Sequence, residues 1–251
     1  MINIKLGECK FCEKLVELCQ AHIIPQALVR NKAKGSKKGL FYIDEKGNYS
    51  IVKSNGYYDR NILCNTCDGK FGAYEEALIK FLKDSDCISK YNYRKISLAI
   101  EFILWKSHLT TLPDYEDINL GKYGDILRDS LKHSLNNPNS NPSQDFPIWI
   151  RRYKNILGNS HSKNDVIFNM INPVSDKSRD DYYGTLYTFN FSNHKIIIRV
   201  GGEKLPKTIN RFITNDKSNI DEICYRFDST MEDIHTTPQS MVQALNQLYI
   251  D

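Results

Sequence analysis

The sequence predicts an α+β protein in two parts. A zinc-bearing domain with a helical extension is expected over residues 1–135, and a β-rich α+β region over 144–251. Three observations carry this reading. Two Cys-x-x-Cys units, Cys9-Lys10-Phe11-Cys12 and Cys64-Asn65-Thr66-Cys67, have the spacing of metal knuckles. Apolar residues recur at helical spacing in Arg94–His108. After the turn-rich stretch Asn136–Ser143, the chain changes to runs rich in β-branched and aromatic residues.

Each knuckle lets a tight turn offer two thiolates, and two knuckles fill a tetrahedral Zn2+. Such a site has no open position, so Cys9, Cys12, Cys64 and Cys67 are expected to hold a structural zinc. Fifty-one residues separate Cys12 from Cys64, so the insert carries structure of its own. Residues 17–24 read as a strand that stops at Pro25. Phe41–Ile43 and Tyr49–Val52 flank Lys46-Gly47-Asn48 and read as a hairpin. Residues 61–64 read as a second short strand. From Asp68 a helix is expected through Phe71, Tyr74, Leu78 and Leu82.

The helical extension has its apolar face at Ile96, Ala99, Ile100, Ile103 and Leu104. Residues 118–135 are expected to supply another helix. Beyond the break, residues 148–150, 166–168, 185–189 and 195–200 read as strands, the last two joined as a hairpin through 191–194. A helix over 238–248, capped by Thr237, closes the expected order. His161, His194 and His235 are isolated and read as surface or structural.

The order Cys-x-x-Cys, His22-Ile23-Ile24-Pro25, then Asn61-Ile62-Leu63-Cys64-x-x-Cys67-Asp68 resembles the zinc-bearing branch of the HNH endonuclease family. The resemblance covers residues 9–82, about a third of the chain, and implies a ββα-metal fold. By that resemblance His22 matches the general base that activates water. Asn61 matches the asparagine that orients it, and Asp68 matches the helix-start ligand of a catalytic Mg2+ or Mn2+. The sequence departs at Ala21, where family members carry a second ligand, and Gly72, one turn past Asp68, supplies none.

The implied reaction is metal-dependent hydrolysis of DNA phosphodiester bonds. A neutral imidazole accepts a proton from water near pH 7, and a divalent ion carries charge on the leaving oxygen. Plainer readings stand beside this one. His22 also suits a core histidine, Asp68 a carboxylate favoured by a helix N-terminus, and Cys19, Cys87 and Cys224 buried small hydrophobes. The alternative function is a non-catalytic zinc module that binds nucleic acid or a partner protein.

Charge distribution bears on partners. Residues 1–110 carry 18 Lys/Arg against 12 Asp/Glu, whereas residues 111–251 carry 16 against 18. The basic excess therefore lies on the half with the knuckles. Between Glu17 and Asp44 there is no acidic residue, and Arg30, Lys32, Lys34, Lys37 and Lys38 cluster there. Such a stretch suits a phosphate backbone through counterion release, or plain solvation. Nucleic acid, DNA in the first instance, is the expected partner. A protein partner or a second copy through the C-terminal region is the further expectation. No apolar run approaches a membrane span. With no h-region at the N-terminus and four of seven cysteines in knuckles, a reducing cytoplasm is expected. Small nucleases of the type it resembles serve in bacterial restriction and antiphage defence.

Overall fold

A computed structural model describes residues 6–28, 40–43, 49–52, 57–84, 92–139, 145–152, 171–180, 184–191 and 194–202. The basic stretch Arg30–Lys38, the strand at 166–168, the helix at 238–248, His161, His235, Cys87 and Cys224 lie outside the described residues.

The N-terminal part is built from short two-stranded units. Strands β1 (Leu6–Glu8) and β2 (Leu15–Glu17) form an antiparallel hairpin whose turn is the first knuckle. Strand β3 (Ala21–His22) pairs with β6 (Tyr58–Asp59), setting Ala21 opposite Asp59 and His22 opposite Tyr58. Strands β4 (Leu40–Ile43) and β5 (Tyr49–Val52) pair antiparallel, as expected, while the turn expected at Lys46-Gly47-Asn48 lies outside the described residues. The expected strand over 17–24 is divided. Leu18 bridges to Cys64, and the Cys19 N–H donates to the Leu63 carbonyl, so the chain switches partner before β3 begins. The second strand lies earlier than its sequence suggested, ending at Asp59, two residues before Asn61.

Helix α1 (Asn65–Gly69) starts at the second knuckle, with Cys64 in extended conformation as its N-cap. Helix α2 (Gly72–Asp84) follows after a break, and the N–H groups of Tyr74 and Glu75 both donate to the Phe71 carbonyl. Phe71, Leu78 and Leu82 are buried, as the spacing predicted. Helix α3 (Tyr93–Leu109) is capped by the Asn92 side chain, which accepts from the Lys95 N–H at 3.1 Å. Every residue from Ile96 to Ser107 is buried, a far wider surface than one apolar face. Helix α3 packs against α2 and against helix α4 (Tyr123–Asn136), which makes it the central helix.

The C-terminal part is an antiparallel sheet of order β7 (Ile148–Arg152), β10 (His194–Val200), β9 (Gly184–Phe191), β8 (Ile171–Asp180). Ile148 and Ile150, Tyr187, Phe189 and Phe191, and Ile196, Ile198 and Val200 alternate along their strands and are buried. The β9–β10 hairpin matches its sequence reading. Strand β8 was not expected, because it contains Pro173 and several charged residues. As an edge strand it tolerates both, and its register shifts between Asn172 and Asp176, around the proline that lacks an N–H. The sheet joins the helices through the Tyr187 hydroxyl, which donates to the Asn119 carbonyl at 2.8 Å, and through the rings of Phe81 and His194, 5.3 Å apart. Among the described residues, no helix is long and apolar enough to cross a membrane.

Candidate functional site

The four knuckle cysteines converge from two distant segments. One sulfur from each of Cys9, Cys12, Cys64 and Cys67 lies within 4.8 Å of the others, and all four are free thiols. A tetrahedral zinc with bonds of ~2.3 Å would set its sulfurs about 3.8 Å apart, so the cluster fits that ion. Backbone geometry builds it. The Glu13 N–H donates to the Cys9 carbonyl at 2.7 Å and closes the first knuckle, with Glu13 at a φ of 60°. The Lys10 N–H reaches the Ile62 carbonyl at 2.8 Å and ties that knuckle to the approach of the second. The Cys67 and Asp68 N–H groups fold back on the Cys64 carbonyl.

Hydrogen bonding also reaches the sulfurs. The Cys64 N–H donates to Cys9 Sγ at 3.4 Å. Burial pushes the Cys9 thiol up, but backbone N–H groups of Cys12, Cys64 and Phe11 outweigh it, leaving its pKa lowered to about 7. Burial raises Cys64 and Cys67, and half-buried Cys19 is pushed up to about 11 by burial and by the Asp68 charge. A thiol of that kind is a packed hydrophobe rather than a nucleophile.

Phe11, between the two cysteines of the first knuckle, anchors the cluster to the helices. It is 3 % exposed. Its ring stands edge-on to Phe71 and Trp105, each at 5.5 Å, and to Phe102 at 6.4 Å. Phe71 and Phe102 are stacked at 3.6 Å. The segment that carries Asp68 is thus held between the cysteine cluster and an aromatic wedge.

Beside the cluster lies a group of four charged or ionisable residues from separate elements: His22 of β3, Asp68 of α1, Glu75 of α2 and Lys106 of α3. Lys106 has no exposed side-chain surface. Its Nζ donates to Glu75 Oε1 at 2.9 Å and to the backbone carbonyl of His22, and lies 4.4 Å from the centre of the Phe102 ring. His22 is half-buried, its ring 6.2 Å from that of Tyr58. Burial raises the Asp68 carboxyl pKa. The Lys106 charge opposes that shift, the Glu75 charge adds to it, and the His22 charge opposes it. His22 and Asp68 therefore lie within electrostatic reach of each other.

The remaining sequence candidates fall as follows. Asn61 is exposed just past β6, and its N–H donates to Asp59 Oδ1 at 2.8 Å. Asp59, not Asn61, stands in the strand beside β3. It is buried and its Oδ2 accepts from Thr110 Oγ1 at 2.8 Å and from the Thr111 N–H at 3.3 Å. Ala21 is fully buried. Among the described residues, only the four cysteines bring three or more ligating side chains within 4.8 Å of one another.

Sequence reasoning missed Glu75 and Lys106. Glu75 lies seven residues beyond Asp68, across the break between α1 and α2, whereas only the first turn past Asp68 drew attention. Lys106 ends the apolar run Ile100–Trp105, broken only by Glu101, where a lone cation was a signal available to sequence reading.

No protein-family model matches the chain, and no curated protein and no solved structure matches it.

Proposed function

We propose that the chain is a metal-dependent endonuclease of the HNH type that hydrolyses DNA phosphodiester bonds, with a structural zinc on Cys9, Cys12, Cys64 and Cys67. The observation that supports the reading is that His22, on a strand, and Asp68, on a helix that starts at the cysteine cluster, lie within electrostatic reach of each other. His22 accepts a proton from the attacking water, a role suited to an imidazole near neutral pH. Asp68 holds a divalent ion, which when bound supplies positive charge to the phosphate. Arg30, Lys32, Lys34, Lys37 and Lys38 follow His22 in the chain as the cationic track for the nucleic-acid backbone.

The test is incubation of the purified full chain with supercoiled plasmid and magnesium or manganese. Nicking by the wild type and its loss in both His22→Ala and Asp68→Ala are expected. Nicking that persists in His22→Ala, or none by the wild type, overturns the assignment. A second reading, a non-catalytic zinc module that binds nucleic acid, is favoured by the buried Ala21 and by the lack of a three-ligand carboxylate–histidine set among the described residues. Plasmid binding without nicking would select it.

A further inference from the structure

Resting on the proposed nuclease reading, we infer that Lys106 is the positioning residue for His22, locking the backbone that carries the proposed base against Glu75 and the central helix. Strand β3 is two residues long and pairs with a partner equally short. Strand pairing of that length holds a side chain weakly. One further backbone bond, from the Ile23 N–H to the Tyr57 carbonyl at 2.9 Å, ties down its end. The His22 carbonyl itself is taken by Lys106 Nζ, an ammonium without exposed surface that is rooted near the C-terminus of the 17-residue helix α3.

A buried ammonium requires both a counter-charge and hydrogen-bond acceptors. Glu75 supplies the charge at 2.9 Å, and its side chain is still 20 % exposed, so this pair alone could sit nearer the solvent. The lysine instead extends to an acceptor on a third element. Three elements, β3, α2 and α3, thereby meet at one nitrogen atom. The position of His22 relative to Asp68 then depends on the central helix rather than on a two-residue strand. Misplacement of a catalytic group by about 1 Å costs on the order of a hundredfold in rate, so such a clamp has a kinetic signature.

The test compares full-length wild type, Lys106→Met and the double variant Lys106→Met/Glu75→Gln, each at equal zinc content. Lys106→Met leaves Glu75 without its counter-charge, so both thermal stability and kcat for plasmid nicking should fall. The double variant removes the stranded charge. Its melting temperature should recover most of the loss, while kcat stays down by about tenfold or more with KM for plasmid little changed. Recovery of kcat together with stability would show Lys106 to be only the counter-ion of Glu75, and overturns the inference. The NMR ring signals of His22, identified by their loss in His22→Ala, supply a readout that needs no cleavage. They should move in both lysine variants. If the wild type fails to nick, the nuclease reading falls, and these signals still decide the clamp: unchanged signals refute it.

Discussion

Replacing Phe11 with alanine should destabilise the protein by about 3–5 kcal/mol, although the residue ligates nothing. The magnitude follows from its surroundings. A phenylalanine ring buries roughly 150–250 Å², and at about 25 cal/mol per Å² that is on the order of 4–6 kcal/mol of transfer free energy, part of which alanine retains. Phe11 is 3 % exposed, so nearly all of this applies. Its edge-on contacts with Phe71, Trp105 and Phe102 add about 0.5–1.5 kcal/mol per pair. The wedge is walled by backbone committed to the knuckle on one side and by two helices on the other, so the cavity cannot collapse freely. Urea unfolding followed by tryptophan fluorescence at saturating zinc is the assay, and Trp105 lies directly against the site. Phe11→Leu, which keeps most of the volume, should cost much less. A loss below about 1 kcal/mol for Phe11→Ala, with zinc retained, would refute the argument that the aromatic wedge fastens the knuckle to the helices.

Three other outcomes are expected. Glu101 on α3 is 1 % exposed, and neither of its carboxylate oxygens has a hydrogen-bond partner among the described residues; burial pushes its pKa up to about 8. The folded state then holds a proton that the unfolded state releases near the ordinary glutamate value, so its contribution is full below about pH 4.5 and falls as pH rises toward 8. Stability measured at pH 5, 6.5 and 8 should decline less in Glu101→Gln than in the wild type, and an identical decline would remove Glu101 as the cause. Ala21→Asp, which would place a carboxylate in the core beside His22, should lower stability by several kcal/mol instead of strengthening metal binding, because Ala21 has no exposed surface. A thermal melt with a magnesium titration checks this. Removal of zinc by a chelator should lower the melting temperature and expose Trp105, with recovery on zinc addition, since metal binding to such a cluster is coupled to folding. An unchanged melt in a sample shown to be zinc-free would count against a structural metal.

Local chemistry made much of this protein legible from its sequence. Each Cys-x-x-Cys pair spans a single turn, so its spacing alone specified a knuckle, and the cluster of Cys9, Cys12, Cys64 and Cys67 follows from having two of them. Helix α3 is long enough for its apolar period to stand out, and the β9–β10 hairpin joins two β-rich runs across a short turn. The short strands were harder. Pairings two residues long carry no period, so β3 and β6 are set by what lies next to them: the Leu18–Cys64 bridge, the buried Asp59 and the packing of Ala21. Edge strand β8 was hidden for a related reason, because a strand paired on one side can keep a proline and charges that read as loop. The buried charged group is the clearest case of a tertiary decision. His22, Asp68, Glu75 and Lys106 are separated by up to 84 positions in the chain, and neither propensity nor spacing relates them. They meet because the cysteine cluster and the Phe11 wedge bring β3, α1 and α2 against the central helix. Once there, the cost of burying an ammonium decides which groups must face it.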